Sequence, residues 1–340
     1  MIHALKKYDV LREIVDRCNA VVVERIKDNQ LREANIALES FNNGGKRLRP
    51  ILLVLSAKAP DGGQLDDIDE SLVQLAAAVE LIHLATLFHD DVIDQVDTRR
   101  SKLSARLKYG NYASVLAGDF ALAEALDLVH KSHVPGAMPE FIRTLRTLVR
   151  GESLETSHKF DFTLNDAQYY EIISEKSASL FALSCKSGAL ANGSEFGDAL
   201  GHFGWNLGMA FQMIDDLDDM LDNPQRSYDC DLRNGYIALP MIRVLDALKD
   251  GHREHLVHII EAGDFKPENE RFIVGLCLEY GAIAQTHQVI DRHLERAADT
   301  LSRFAASPAK ELLAGVVQDL RAYSGQQVHN FAGFAREATG

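Results

Sequence analysis

Residues 89–94 read His-Asp-Asp-Val-Ile-Asp and close an apolar run, LAAAVELIHLATLF. On a helix, Asp90 and Asp94 stand one turn apart and point the same way. Two carboxylates so placed beside apolar side chains repel each other, and the arrangement is costly without a cation. Magnesium suits it, because that ion takes one or two protein carboxylates and completes its octahedron with water and phosphate oxygens. A solvated acidic helix end would look the same in isolation. The pattern recurs, however, at Asp215-Asp216-Leu217-Asp218-Asp219, again after an apolar run, FGWNLGMAFQMI. Two clusters of one spacing, each ending a helix that reads as buried, can clamp a diphosphate between several metal ions. As unrelated solvated faces they would be a coincidence.

Cations stand nearby in the chain. In Gly44-Gly45-Lys46-Arg47-Leu48-Arg49-Pro50, the glycines let backbone approach an anion, Lys46 offers a point charge and Arg49 a bidentate fork. Arg99-Arg100 follow the first acidic cluster, and Lys176 with Ser177 falls in a helical stretch. Each of these has an ordinary alternative as a surface salt bridge. His83 lies near the face that carries Asp90 and Asp94, where a packed core histidine is the commoner outcome. Phe211-Gln212 precede Asp215 by a turn and can present an aromatic edge and an amide, or simply serve the core.

Positioning such groups takes long helices, and the chain reads as little else. Nearly every segment has helical period and none alternates convincingly with period two. The spacing predicts helices at roughly 8–27, 31–41, 50–59, 69–95, 111–132, 139–158, 166–192, 195–221, 238–262 and 267–306, with a last one from about 308. Asn43-Gly44-Gly45 breaks the chain, after which Pro50 suits a first helical turn. Ser307-Pro308 is another cap-plus-proline start. The irregular stretches 96–110 and 222–237 each follow an aspartate cluster, as lids and ligand loops do. No repeat or linker divides residues 1–340, so one domain is expected.

With 46% hydrophobic and 25% charged residues, the composition is that of a globular protein with a sizeable core. A net charge of −14 argues against a nucleic-acid partner, although cation-loaded carboxylates can still hold a phosphorylated substrate. Cys18, Cys185, Cys230 and Cys277 form no C-x-x-C pair, which points to reduced thiols without a zinc site or disulfide framework. The N-terminal MIHALKKYDVLREIVDR carries charges throughout and lacks a signal-peptide apolar core. No uncharged apolar run reaches the ~18 residues that span a bilayer. No transmembrane segment is expected, and a cytoplasmic location is.

Together these residues resemble the trans-isoprenyl diphosphate synthase (polyprenyl synthetase) family, medium- and long-chain bacterial members above all. The resemblance rests on GGKRLRP (44–50), VELIHLATLFHDDVIDQVDTRR (79–100), LAGDF (116–120), Gly151-Glu152, the Lys176 region, AFQMIDDLDD (210–219) and DLRNGYIALP (231–240), in matching order and spacing. It implies an all-α helical bundle around a central cavity, working as a homodimer. By the same resemblance, Asp90 and Asp94 would bind two magnesium ions and Asp215 a third, supported by Asp91, Asp216 and Asp219. Arg99 and Lys176 would hold an allylic diphosphate, while Lys46, Arg49, His83 and Arg100 would hold isopentenyl diphosphate. Ionisation of the allylic C–O bond would be followed by attack of the isopentenyl double bond. Gln212 and Ser177 would steady the carbocation, and the departed diphosphate would take the last proton.

Some positions depart from the family pattern. After the second cluster many members carry G-K-x-x-G-x-D, whose lysine holds the allylic diphosphate; here NPQRSYDCD (223–231) offers only Arg226. Tyr236 stands where several members have another lysine, Ser101 and Leu103 replace Gly and Pro, Ser177 replaces Thr, and Glu155 replaces Gln. A class I terpene cyclase would share the ionisation, but it typically carries an Asn/Ser/Glu metal motif and needs no second diphosphate site. A regulatory subunit of a heteromeric synthase usually loses aspartates or basic residues that this chain keeps. Product length should depend on Ala85 and Thr86, small residues just ahead of Asp90, and on Ile82 behind them, with Phe120 or Leu122 able to close the cavity from a facing helix. No aromatic floor is present at these α-helical turns, so a product of geranylgeranyl length or longer is expected.

Overall fold

The structure, a computed structural model, describes residues 9–27, 29–62, 65, 68–100, 102–220, 231–249 and 251–337. Helices dominate: α1 (Asp9–Lys27), α2 (Arg32–Asn42), α3 (Leu48–Lys58), α4 (Glu70–Ile93), α5 (Ala105–Tyr109), α6 (Asn111–Lys131), α7 (Ala137–Ser157) and α8 (Asp166–Ile173) come first. A π-helical turn, Ser174–Ala178, leads into α9 (Ser179–Ala191) and α10 (Gly197–Met220). The chain ends in α11 (Leu239–Ala247), α12 (Gly251–Ala262), α13 (Pro267–Glu279), α14 (Ala282–Leu301) and α15 (Pro308–Glu337). The one sheet among the described residues is a small antiparallel hairpin, β1 (Thr98–Arg99) with β2 (Lys102–Leu103).

The helix starts have local causes. Asn165 and Gln168 form a reciprocal capping box at α8. Ser307 Oγ accepts the Lys310 amide at 3.2 Å where α15 begins at Pro308. Helix α3 begins two residues before Pro50, which then occupies its first turn. Three long predicted helices are interrupted. The stretch 166–192 contains the π turn, 238–262 breaks where Leu248 turns to extended backbone, and 267–306 breaks at Gly281, whose φ of +65° ends one helix and starts the next.

Helix α4 runs through the core between α6, α3, α9 and α1, while α10 lies between α9 and α14. By length and composition α4 could cross a membrane, yet 72% of its apolar window is buried inside the fold. Glu80, in the middle of α4, is buried and meets Arg47 at 2.6 Å. A charge pair held by the core fits a core helix and would be costly facing lipid. The C-terminal ends of α4 and α10 therefore carry the two aspartate clusters from within the same core.

Candidate active site

Both aspartate clusters sit where a helix ends. Asp90 and Asp91 are in the last turn of α4, Asp94 caps it, and Asp215 to Asp219 fill the last turns of α10. The carbonyl end of a helix carries partial negative charge, so carboxylates gathered there are doubly disfavoured. Burial pushes the Asp90 carboxyl up to about 8; Lys176 and Arg99 oppose this, while Glu152 and Asp94 add to it. One buried oxygen of Glu152, Oε1, has no hydrogen-bond partner among the described residues. Carboxylates in this state are short of positive charge.

The other carboxylates of the first cluster are engaged. Arg99 Nε donates to Asp91 Oδ1 at 2.7 Å, so Asp91 orients an arginine. Asp94 Oδ1 meets Lys159 Nζ at 3.1 Å and accepts the Tyr236 hydroxyl. In the second cluster Asp215 is exposed and close enough to Arg49 to raise that guanidinium's proton affinity. Asp216 is buried and accepts from Tyr169 Oη at 2.5 Å and Gln212 Nε2 at 2.8 Å. Burial pushes its carboxyl up to about 7 against those two hydrogen bonds, with Asp215 adding to the rise. Asp218 is held by Tyr323 and Gln327 of α15, and Asp219 accepts the Asp231 amide at 2.8 Å.

Lys176 stands between Glu152, at 3.0 Å, and Glu155. Burial alone would lower its pKa, but Glu155, Asp90 and Glu152 outweigh it and hold the ammonium well above its ordinary range. Its placement depends on the π turn, a feature common at functional sites because it re-aims consecutive side chains. Trp205 Nε1 ties this turn to α10 through Ser174 Oγ at 2.8 Å. Gly151 lets α7 approach it, since a Cβ there would fall 2.4 Å from the Lys176 backbone nitrogen. From the next residue, Ser177 Oγ donates to Gln212 Oε1 at 2.6 Å, completing a path Ser177–Gln212–Asp216 between the two halves of the site.

A second cationic group lies around His83. Burial drives its imidazole well below the ordinary range, and Arg49, Arg100, Arg99 and Arg47 all push the same way. Arg47 serves the fold here: it adopts a left-handed φ of 49°, pairs with Glu80 and donates to the Phe41 carbonyl at 2.8 Å. Arg49 lies 4.6 Å over the Phe181 ring, and burial lowers it to about 10 against the pull of Glu80 and Asp215. Lys46 is exposed, 6.0 Å from the Phe211 ring. Arg100, also left-handed with φ 53°, reaches back from the hairpin and donates to the Gly44 carbonyl. The space over Gly45 is taken by the Arg47 and Arg100 guanidinium groups, so this glycine accommodates cations.

Of the three residues expected to govern product length, Ile82 and Ala85 are buried at 0% and 3% exposure. Thr86 is half-buried, shares the face of His83 and Asp90, and donates to the His83 carbonyl at 2.9 Å. Phe120 and Leu122 of α6 are half-buried. Arg226 and Ser101 lie outside the described residues. The sequence reading missed Lys159 and Tyr169, because neither has a spacing relation to an aspartate cluster.

Among the described residues no three carboxylate, histidine or cysteine side chains stand close enough to hold a metal unaided. Magnesium fits this donor set, since it needs only one or two protein carboxylates and takes the rest from water and phosphate. Asp90, whose carboxyl burial leaves short of positive charge, and Asp94 beside it are the carboxylates that would supply them.

Residues 32–275 match the family model described as polyprenyl synthetase. The chain is 30% identical to the octaprenyl diphosphate synthase of Escherichia coli, over 88% of this chain and 92% of that protein. It is 35% identical to the nonaprenyl diphosphate synthase of Mycobacterium tuberculosis, over 67% of this chain and 70% of that one. A polyprenyl synthase from Caulobacter crescentus, solved with calcium and isoprenyl diphosphate, superposes with a TM-score of 0.84 at 29% identity, covering 95% of this chain and 98% of that one. Fold, ordered motifs and these likenesses agree: the chain belongs to the polyprenyl synthetase family, whose members are trans-prenyltransferases.

Proposed function

We propose that this site condenses an allylic diphosphate with isopentenyl diphosphate, head to tail, to a trans-polyprenyl diphosphate of geranylgeranyl length or longer. The observation that carries this reading is a pair of adjoining groups of cationic side chains. One is formed by arginines around His83, and the other by Lys176 and Arg99 beside Asp90. Two diphosphates are what a condensation must hold, whereas a cyclase needs one. Lys46, Arg49, His83 and Arg100 bind the isopentenyl diphosphate, and Arg99 and Lys176 the allylic one.

Prenyl synthases use magnesium, and here Asp90, Asp94 and Asp215 would hold three ions, with Asp91, Asp216 and Asp219 supporting, to neutralise charge on the leaving diphosphate. Gln212, its amide oxygen already accepting from Ser177, directs a dipole at the positive prenyl carbon. The apolar faces of α4 and α6 keep water from the cation. The departed diphosphate accepts the final proton, so no side-chain base is needed. Residues 1–340 are read as one domain, supported by one continuous buried core from Leu11 to Phe331. Homodimer formation is supported by exposed apolar residues Tyr112 and Val115 on α6 and Ile142 and Val149 on α7. A cytoplasmic location is supported by the buried free thiols of Cys18, Cys185 and Cys277.

The test is elongation of geranyl, farnesyl and geranylgeranyl diphosphates with labelled isopentenyl diphosphate and magnesium, followed by product chromatography. Products longer than farnesyl are expected. Asp90→Ala and Asp215→Ala, each folded, should lose roughly a thousandfold or more in turnover. Absence of product from every primer in the unaltered protein would overturn the proposal.

A further inference from the structure

Lys159 belongs to no motif, yet it is built into the site. It follows the end of α7 in a turn fastened on both sides. His158 Nδ1 lies 2.8 Å from the Leu154 carbonyl, and the Phe160 amide donates to the Gly235 carbonyl at 2.8 Å. Phe160 takes a left-handed φ of 58°, and its ring covers Gly235 so closely that a Cβ there would sit 2.6 Å from ring carbons. This docking brings Lys159 beside Tyr236. The Lys159 ammonium lies 4.6 Å over the Tyr236 ring and 3.1 Å from Asp94 Oδ1, and the Tyr236 hydroxyl donates to the same aspartate. Lys176 stands 5.7 Å from that ring, so two ammonium groups flank one aromatic plate.

We infer that Lys159 is a binding residue for the allylic diphosphate, acting beside Lys176. This rests on the reading of Asp94 as a metal carboxylate. Once Asp94 engages a cation it has less negative charge to offer Lys159, and the ammonium, three-quarters enclosed, needs a new anionic partner. The partner within reach is the diphosphate that the metal-carrying carboxylates gather. Lys176 is already drawn toward Glu152 and Glu155, so it arrives partly neutralised. Lys159 has one carboxylate partner among the described residues, Asp94, and supplies the charge that Lys176 has committed. Tyr236 favours both ammonium groups through its ring.

The experiment is calorimetric titration of the full chain, in magnesium, with farnesyl thiolodiphosphate, which does not ionise readily, and separately with isopentenyl diphosphate. Lys159→Ala should weaken the farnesyl analogue about 10- to 100-fold, Lys159→Arg should recover most of that loss, and isopentenyl diphosphate should bind as before. Unchanged analogue binding, with magnesium alone binding more tightly, would overturn the inference and make Lys159 only a counter-ion to Asp94. Equal weakening of both diphosphates would also overturn it. Selective weakening in a protein that elongates no primer would instead remove the prenyl-transfer reading and leave the Lys159 assignment standing.

Discussion

Lys46 and Arg49 are three residues apart but occupy different surroundings: Lys46 is exposed near Phe211, and Arg49 is enclosed over Phe181 with its Nε buried and without a hydrogen-bond partner among the described residues. On the proposed reading, a diphosphate arriving between them would gain a point charge from one and a fixed fork from the other. Lys46→Ala and Arg49→Ala should therefore raise the KM for isopentenyl diphosphate, each losing about 1.5–3 kcal/mol of charge-assisted contact. Lys176→Ala should act on the primer, and should also lower stability because Glu152 and Glu155 lose their shared cation. Steady-state kinetics with one substrate varied at a time separates the two subsites. A Lys46→Ala variant impaired for the primer alone would show the assignment to be reversed.

At the scale of elements, the site depends on close helix approaches. Gly151→Ala puts a methyl group against the backbone of the π turn, which cannot move aside as a flexible side chain would. It should cost about 1–3 kcal/mol in stability and lower kcat/KM for the primer, both measurable by thermal melting and kinetics. A fully active, equally stable variant would mean that the approach is dispensable. Helix α4 sets a second expectation. Ala85 is packed in the core, so a phenyl ring there would overpack it, whereas Thr86 is accessible on the face of Asp90. Thr86→Phe should shorten the product at small cost in stability, and Ala85→Phe should shorten it at about 1–3 kcal/mol. Unchanged product chromatograms from both would remove α4 as the determinant of length.

Across the whole molecule, α10 is joined to α14 by His293, whose Nδ1 lies 2.9 Å from Asn206 Oδ1 and whose ring meets Trp205 edge-on. Burial lowers this imidazole to about 4, and Arg296 and Arg292 contribute. The unfolded chain, with an ordinary histidine near 6.5, then binds more protons than the folded one between those values. Stability is full above about 6.5 and falls as the pH drops toward about 4, by at most roughly 3 kcal/mol from this group. Denaturant titrations at several pH values should show a flatter decline for His293→Gln. An identical slope would place the acid sensitivity elsewhere.

What the sequence determined alone is what repeats locally. Helical period marks α4 and α10, the i, i+4 aspartates are visible at their ends, and GGKRLRP announces the basic loop, because neighbours on one helix face are set by a fixed rise and turn. The π turn at Lys176 was not legible, since its register change comes from the packing of α7 and α10 upon it. Nor was the partition of like residues, with Asp91 given to Arg99, Asp216 to Tyr169 and Gln212, and Arg47 to Glu80. Lys159 and Tyr236 converge on Asp94 from 65 and 142 residues away. Such meetings leave no periodic mark in the chain. They arise only when buried apolar faces bring distant helices together and the polar groups carried along must find opposite charge or a hydrogen-bond partner.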